Sequence, residues 1–185
     1  TADSRNVQRL PWQPDMVTVK RNGASAGTWR PSSQAGDNSS FFAGTTQSPN
    51  FIQAINADGF QIGTDNSVNA NGSTMFWFVF KEGANFAVGT YAGTGAAQSR
   101  TDAGFRAEYT WIKRTTNVNG VMKSVSLGNT NSQYFAATAD AADRITRFVK
   151  GGFRLGGAQT ETNAVGGTYH YAAWNDASFG TLTVD

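Results

Sequence analysis

Residues 59–63 read Gly-Phe-Gln-Ile-Gly, and residues 152–156 read Gly-Phe-Arg-Leu-Gly. The two stretches lie 93 positions apart, and the same offset aligns residues 12–63 with residues 105–156 without a gap. Of these 52 pairs 13 are identical, whereas unrelated sequences would share roughly three or four. The chain is therefore a tandem duplication of one unit.

The alignment continues beyond Gly63 with one residue inserted in a polar turn of the second unit and one residue removed again before Phe179. Asn69-Ala70 faces Asn163-Ala164, and farther on Phe86 faces Phe179. Insertions confined to a turn are expected of a real duplication. The sequence thus predicts an N-terminal extension (1–11), a first β repeat (12–91), a Gly/Ala/Thr-rich connector (92–104) and a second β repeat (105–185).

Composition favours short strands joined by turns. Charged residues make up 15% of the chain, aromatic residues make up 12%, and there are 21 glycines. The net charge of +2 is too small for a phosphate-binding face, so we expect no nucleic acid partner. No apolar run is long enough to span a bilayer, and we expect no membrane insertion. The sequence starts at Thr1 without a signal-like segment, which we interpret as a processed form or an excised domain.

Apolar and polar residues alternate in each repeat as they do in half-buried strands. We predict an all-β protein, a β-sandwich or jelly-roll-like body of about twelve to fourteen strands. Its two repeats would be related by pseudo-twofold symmetry, and two separate small sandwiches are the alternative. The run Met75-Phe76-Trp77-Phe78-Val79-Phe80 has no polar position, so we expect a central strand buried on both faces. Its aligned run ends in Ala172-Ala173-Trp174, and we expect the two strands to share one core in which bulky residues compensate for small ones.

Motifs for catalysis are weak. Residues 23–27 read Gly-Ala-Ser-Ala-Gly and match the G-x-S-x-G pattern of esterases, but no helix pattern follows, so a hairpin turn is the better interpretation. The single histidine, His170, aligns with Phe76, and the chain has no cysteine. Residues 65–72 alternate oxygen-bearing side chains but lack the Gly and Glu of a calcium loop. We predict no enzyme activity, no metal site and no cofactor.

Surface chemistry gives one positive indication. Aromatic residues beside Asn and Asp can stack on sugar rings and bind their hydroxyl groups. The halves differ most around the loop of residues 65–72 and the His170 strand. The repeated pairs Lys20-Arg21 and Lys113-Arg114 are interpreted as solvated strand ends or ion pairs, with an anion or partner contact as the alternative. The candidate residues for a glycan or partner surface are Trp29, Asp65, Asn69, Asn71 and His170.

The first repeat resembles a known but uncharacterised repeat domain. The resemblance rests on Gln13-Pro14-Asp15-Met16-Val17-Thr18-Val19-Lys20-Arg21, residues 56–65 (Asn-Ala-Asp-Gly-Phe-Gln-Ile-Gly-Thr-Asp) and Val68-Asn69-Ala70-Asn71-Gly72, followed by the aromatic strand. That domain occurs in virion proteins of tailed phages and in bacterial extracellular proteins. The second repeat matches less closely, because it lacks the Pro-Asp and the Asp-Gly.

The resemblance implies a lectin-like β-sandwich and a location on virions or outside cells. It supplies no catalytic residue. The first hypothesis is a non-enzymatic structural or interaction module of a phage virion, such as a decoration, fibre or tail-associated protein. Its partners would be other virion or surface proteins, and a homotrimer would present pseudo-sixfold symmetry. The alternatives are a carbohydrate-binding, lectin-like adhesin and a polysaccharide hydrolase of jelly-roll type.

Overall fold

The first half of the chain consists of short antiparallel strands and one short helix. The computed structural model describes residues 2–128 and 130–175 of the chain. Strand-forming runs alternate with Gly- and Asn-containing turns, as the sequence predicts. In chain order the elements are β1 (Arg5–Gln8), β2 (Met16–Arg21), β3 (Thr28–Pro31), β4 (Ser40–Phe41), β5 (Ile52–Asn56), β6 (Gly59–Ile62), α1 (Asn66–Asn69), β7 (Met75–Phe80) and β8 (Phe86–Ala92).

The second half repeats this strand order. Its elements are β9 (Ser99–Arg100), β10 (Tyr109–Arg114), β11 (Val121–Ser124), β12 (Asn131–Tyr134), β13 (Ala141–Ala142), β14 (Ile145–Val149), β15 (Gly152–Leu155) and β16 (Thr168–Trp174). The all-β prediction is confirmed. The sixteen strands of the described residues exceed the predicted number because β4, β9 and β13 are only two residues long and show no alternation.

Hydrogen bonds group the strands into four sheets. The first sandwich consists of sheets β1-β6-β5 and β4-β3-β2-β7. The second sandwich consists of sheets β14-β15-β9 and β13-β12-β11-β10-β16-β8. Each sandwich buries its own apolar cluster, which includes Val17, Ile52, Phe60, Ile62 and Val68 in the first and Ile112, Ile145, Phe153, Leu155 and Tyr171 in the second.

A third core joins the two larger sheets. Met16 and Trp29 of the first sandwich are buried with Phe86, Ala172 and Trp174 of the second. The rings of Trp111 and Trp174 lie 4.9 Å apart, and the ring of Phe80 lies 5.5 Å from that of Trp174. Large aromatic side chains thus surround Ala172, and burial of aromatic rings supplies much of the energy of such a contact. The two sandwiches form one body with three cores.

One strand crosses between the sandwiches. β8 lies in the first repeat by sequence, but it pairs along its whole length with β16 of the second sandwich. The loop between β7 and β8, residues 81–85, therefore carries the chain from one sandwich to the other. Strand pairing assigns β1 to β7 to the first sandwich and β8 to β16 to the second.

β7 differs from its predicted burial. Phe76, Trp77 and Phe78 are 63%, 43% and 45% exposed. The difference arises because β7 pairs only with β2 within the described residues, whereas its counterpart β16 lies between β10 and β8 and is buried on both faces. The prediction of burial on both faces is therefore wrong for β7.

Two aligned glycines allow a third strand to approach each hairpin. A Cβ on Gly59 would lie 1.9 Å from the carbonyl oxygen of Val7 in β1. A Cβ on Gly152 would lie 2.3 Å from the carbonyl oxygen of Arg100 in β9. Both positions thus require glycine because another backbone passes close by.

Candidate functional site

A polar cleft of ≈ 430 Å³ lies between the two sandwiches. It offers hydroxyl, amide and imidazole groups from both of them. Its lining residues are Ser33, Gln34, Ala35, Asn38, Gln47, Thr90, Thr115, Thr168 and His170. A concave surface with several polar groups directed into it is the usual form of a small-molecule or partner site.

His170 is the titratable side chain of the polar cleft. It lies on β16 in register with Lys113 on β10 and Thr90 on β8. Its Nδ1 lies 3.1 Å from Ser33 Oγ. Burial, and to a lesser degree the positive charge of Arg30, lowers the pKa of His170 to about 4. The imidazole is therefore neutral at neutral pH.

The Ser33–His170 pair is poorly suited to nucleophilic catalysis. A general base works best when its pKa lies near the operating pH. Because the pKa of His170 is about 4, its imidazole would accept a proton from a serine hydroxyl only weakly near pH 7. The pair fits a hydrogen-bonding role towards a neutral polar group better than a proton-transfer role.

A second concave surface, the Trp77 groove, runs beside β7 and has a volume of ≈ 420 Å³. Its lining combines apolar and aromatic side chains with amides and one cation. The lining residues are Arg5, Asn6, Val7, Gln8, Ile62, Val68, Asn69, Ala70, Ser73, Met75 and Trp77. Such a lining can accept an amphipathic chain segment, or a sugar ring stacked on the indole.

Three of the predicted binding residues lie in one loop next to the Trp77 groove. The Asp65 carboxylate caps α1 by accepting a hydrogen bond from Ser67 N at 2.7 Å. Asn69 is buried, and its Nδ2 donates to the carbonyl oxygens of Ala2 and Gly63 at 2.9 and 2.8 Å. Asn71 is exposed. Asp65 and Asn69 therefore maintain the shape of the loop, and Asn71 is accessible.

The other two predicted residues lie elsewhere. Trp29 is 1% exposed and stacks on Phe42 with ring centroids 5.6 Å apart, so it belongs to the core between the sandwiches. His170 lies in the polar cleft. The structure thus brings Asp65, Asn69 and Asn71 together and separates Trp29 and His170 from them.

Sequence reasoning missed the exposed aromatic residues of β7 and placed Trp77 in the core. The available signal was the repeat alignment. β16 pairs with both β10 and β8. The repeat alignment pairs β8 with the residues that begin at Phe179. The alignment alone does not predict that β7 lacks the neighbour that β16 has, because this follows only from the observed pairing of β8 with β16.

One lysine of the repeated Lys-Arg pairs is buried. Lys113 is 1% exposed, and its Nζ donates to the carbonyl oxygens of Thr45, Arg114 and Thr116 at 3.0, 2.9 and 3.0 Å. Burial lowers the pKa of Lys113 to about 8. The prediction of a solvated strand end is therefore wrong for Lys113, whereas its counterpart Lys20 is exposed.

The G-x-S-x-G motif forms the connection between β2 and β3. These strands pair with each other, and Ser25 N donates to the carbonyl oxygen of Gly23 at 3.0 Å. The residue after the motif, Thr28, begins β3. The motif is thus a hairpin turn without the strand-turn-helix geometry that a nucleophilic serine requires.

Two kinds of feature are absent from the described residues. Within residues 2–128 and 130–175, no three His, Cys, Asp or Glu side chains are grouped so that they could hold a metal ion. In the same part of the chain, no helix has the length and apolar character needed to cross a membrane.

Comparison with protein families gives one match. Residues 81–183, more than half of the chain, match the model of a domain of unknown function, DUF7483. The chain belongs to the DUF7483 family. No curated protein and no solved structure matches the chain significantly.

The extent of the DUF7483 match agrees with the strand pairing. It begins at residue 81, directly before β8, and so includes β8 with the strands of the second sandwich. It also extends to residue 183, past the end of β16 at Trp174. The family's domain thus includes most of the chain that follows β16.

Proposed function

We propose that this DUF7483 protein is a non-enzymatic structural or interaction module of a phage virion, acting as a decoration, fibre or tail-associated protein. The observation that carries the proposal is the aromatic core between the sandwiches. Met16 and Trp29 on one side and Phe86 and Trp174 on the other fuse two similar units into one body. Such a body presents two related outer sheets to its neighbours, which suits symmetric assembly.

The chemistry of the polar cleft supports a role without catalysis. His170 is held neutral beside Ser33, and its low pKa makes it a weak base near pH 7. Lys113 is occupied by three backbone carbonyl groups. The ionisable groups between the sandwiches thus serve the contact between them.

The virion itself is suggested by the resemblance of the first repeat to domains of tailed-phage virion proteins and bacterial extracellular proteins. The partners would be other virion or surface proteins. Three copies of a duplicated unit would supply six similar faces around a threefold axis, so a homotrimer is the assembly that we propose.

Proteomic analysis of particles purified from the source culture by density gradient tests this proposal. We expect the chain to be present at a fixed copy number relative to the major particle protein. Light scattering of the purified protein should show a trimer. A protein found only in the cell lysate, and monomeric in solution without a partner, would argue against a virion role.

The alternative is a lectin-like adhesin, and the Trp77 groove favours it. An exposed indole lies beside Arg5, Asn6 and Gln8, a combination that suits a sugar ring. Sugar titration followed by tryptophan fluorescence tests this alternative. Quenching should disappear in Trp77→Ala and persist in Phe76→Ala, since Phe76 is exposed but does not line the groove.

A further inference from the structure

Among the described residues the two sandwiches have the same strand order, except that the second has two more strands, β8 and the two-residue β13. The order β4-β3-β2-β7 in the first sandwich corresponds to β12-β11-β10-β16 in the second. Likewise β1-β6-β5 corresponds to β9-β15-β14. The second sandwich then adds β8 beside β16, and within the described residues the first sandwich has no strand beside β7. The repeat alignment makes residues 179–185 the counterpart of β8.

Tyr91 of β8 fills a specific place in the second sandwich. It is 5% exposed; four residues interact with its side chain, and a fifth bonds to the next residue of β8. Its ring stacks on Tyr169 at 5.1 Å, lies 6.5 Å from that of Tyr171, and is covered by the guanidinium of Arg100 at 5.1 Å. Its hydroxyl donates to the carbonyl oxygen of Thr162 at 2.8 Å, and Gln98 Nε2 donates to the carbonyl oxygen of the next residue, Ala92, at 3.4 Å.

The counterparts of these five residues all line the Trp77 groove. The strand pairings β1 with β6 and β9 with β15, together with the repeat alignment, identify them. They are Arg5 for Gln98, Val7 for Arg100, Val68 for Thr162, Met75 for Tyr169 and Trp77 for Tyr171. The Trp77 groove is therefore the place in the first sandwich that Tyr91 occupies in the second.

Among the strands that the structure describes, none pairs with the edge of β7 opposite β2. Alternate residues of β7 direct their backbone N–H and C=O groups to the side opposite β2, and Phe76, Trp77 and Phe78 are exposed. Natural proteins cover or interrupt long apolar strand edges, because such edges pair with other chains and cause aggregation. The β7 sequence carries none of the usual protection, which would be a charge or a proline.

The end of the described chain lies beside this edge. Asn175 N donates to the carbonyl oxygen of Asn85 at 2.9 Å, so the chain after β16 runs beside the loop that crosses between the sandwiches. The ring of Trp174 lies 5.5 Å from that of Phe80, the last residue of β7. Four further residues can span roughly 13 Å, enough to bring Phe179 next to Phe80.

We propose that the open edge of β7 and the Trp77 groove are the docking site for residues 179–185 of this same chain, which add to β7 as an antiparallel strand. The register of β8 on β16 then places Phe179 opposite Phe80, Leu182 opposite Trp77 and Val184 opposite Met75. Strand addition supplies backbone hydrogen bonds, and alternate side chains fill the pocket. Leu182 and Val184 then enter the Trp77 groove, at the positions that Gly89 and Tyr91 occupy in the second sandwich.

The two units then exchange their last strands. The first repeat supplies β8 to the second sandwich, and the second repeat supplies residues 179–185 to the first. This exchange goes beyond the proposed virion role and does not depend on it. It also occupies the groove on which the glycan-binding alternative rests.

An engineered disulfide tests the exchange in the 185-residue chain, which has no cysteine of its own. The register places Phe76 opposite Thr183, and residues opposite each other on antiparallel strands are close enough for a disulfide. Phe76→Cys with Thr183→Cys should lose both free thiols under mild oxidation. The protein should remain a monomer on a non-reducing denaturing gel. The control is Phe76→Cys with Leu182→Cys, whose side chains face opposite sides of the sheet, and it should keep its thiols.

Other outcomes overturn the proposal. A disulfide-linked dimer would show that a second copy supplies the strand. Thiols that remain free in both variants, in proteins that otherwise melt as the parent does, would show that the segment does not dock on β7. Sugar-dependent quenching that requires Trp77 in the 185-residue chain would show that the groove accepts a glycan instead.

Discussion

At the scale of single residues, Asn69 and Asn163 show how a structural role can resemble a binding role in sequence. They occupy aligned positions, and each donates from a buried Nδ2 to two carbonyl oxygens, those of Ala2 and Gly63 in one repeat and those of Ala96 and Gly156 in the other. The same contact in both repeats indicates a fold requirement.

Replacing Asn69 should therefore affect stability. Asn69→Ala leaves the carbonyl groups of Ala2 and Gly63, the second of them buried, without this donor. We expect it to lower the free energy of unfolding by about 1–3 kcal/mol. Asn71→Ala, in the same loop but exposed, should change it by less than about 0.5 kcal/mol. Urea unfolding of both variants is the measurement. An Asn69→Ala protein as stable as its parent would restore Asn69 as a candidate ligand-binding residue.

His170 gives a pH dependence whose sign is determined by its burial. The folded protein holds the pKa of His170 at about 4, below the ordinary value of 6.5, so the unfolded chain takes up the proton first. Its contribution to stability is thus complete above pH 6.5 and is lost as the pH falls towards 4. The loss at pH 4.5 should be roughly 2 kcal/mol.

His170→Phe, which introduces the residue found at the aligned position, removes this dependence. Between pH 7 and pH 4.5 the variant should lose roughly 2 kcal/mol less stability than the parent in urea unfolding. Since His170 is the single histidine of the chain, the difference between the two profiles isolates its titration. Parallel profiles would mean that the imidazole is accessible to protons in the folded state.

At the scale of elements, the third strand of each outer sheet depends on one glycine. Gly59→Ala would push a methyl group into the carbonyl group of Val7. We expect it to destabilise the protein by about 1–3 kcal/mol or more and to release β1 first. Gly83→Ala, where no heavy atom lies within 4 Å, should be close to neutral. Hydrogen exchange of the β1 amides together with thermal unfolding would measure both effects, and equal melting temperatures would contradict the close approach.

Elements also show what the sequence could predict and what it could not. Alternation within β6 and β15 identified these strands, because the pattern reports local burial. The requirement for glycine at position 59 could not be predicted, because it arises from Val7 in β1, some fifty residues away. The exposure of Trp77 depends on which strand lies beside β7, and no pattern within β7 contains that information. Asp65 and Asn69 were recognised as special residues, but their role follows from hydrogen bonds that only the fold reveals.

At the scale of the whole molecule, three cores make the two sandwiches interdependent. The third core takes Met16 and Trp29 from one sandwich and Phe86 and Trp174 from the other, so separation would expose a large aromatic surface on both. Exposed patches of that kind cause association in water. The alternative of two separate small sandwiches would require each to be soluble alone.

Dividing the chain in the loop between β7 and β8 tests this interdependence. We expect co-expressed fragments 1–80 and 81–185 to co-purify in a 1:1 complex that unfolds in a single thermal transition, because the cut breaks one loop and leaves all three cores intact. Each fragment expressed alone should aggregate or bind a hydrophobic dye, since the faces of Trp29 and Trp174 lose their cover. Two monodisperse fragments that fold separately and do not associate would show instead that the aromatic core contributes little. The duplicated units would then be independent domains on one chain.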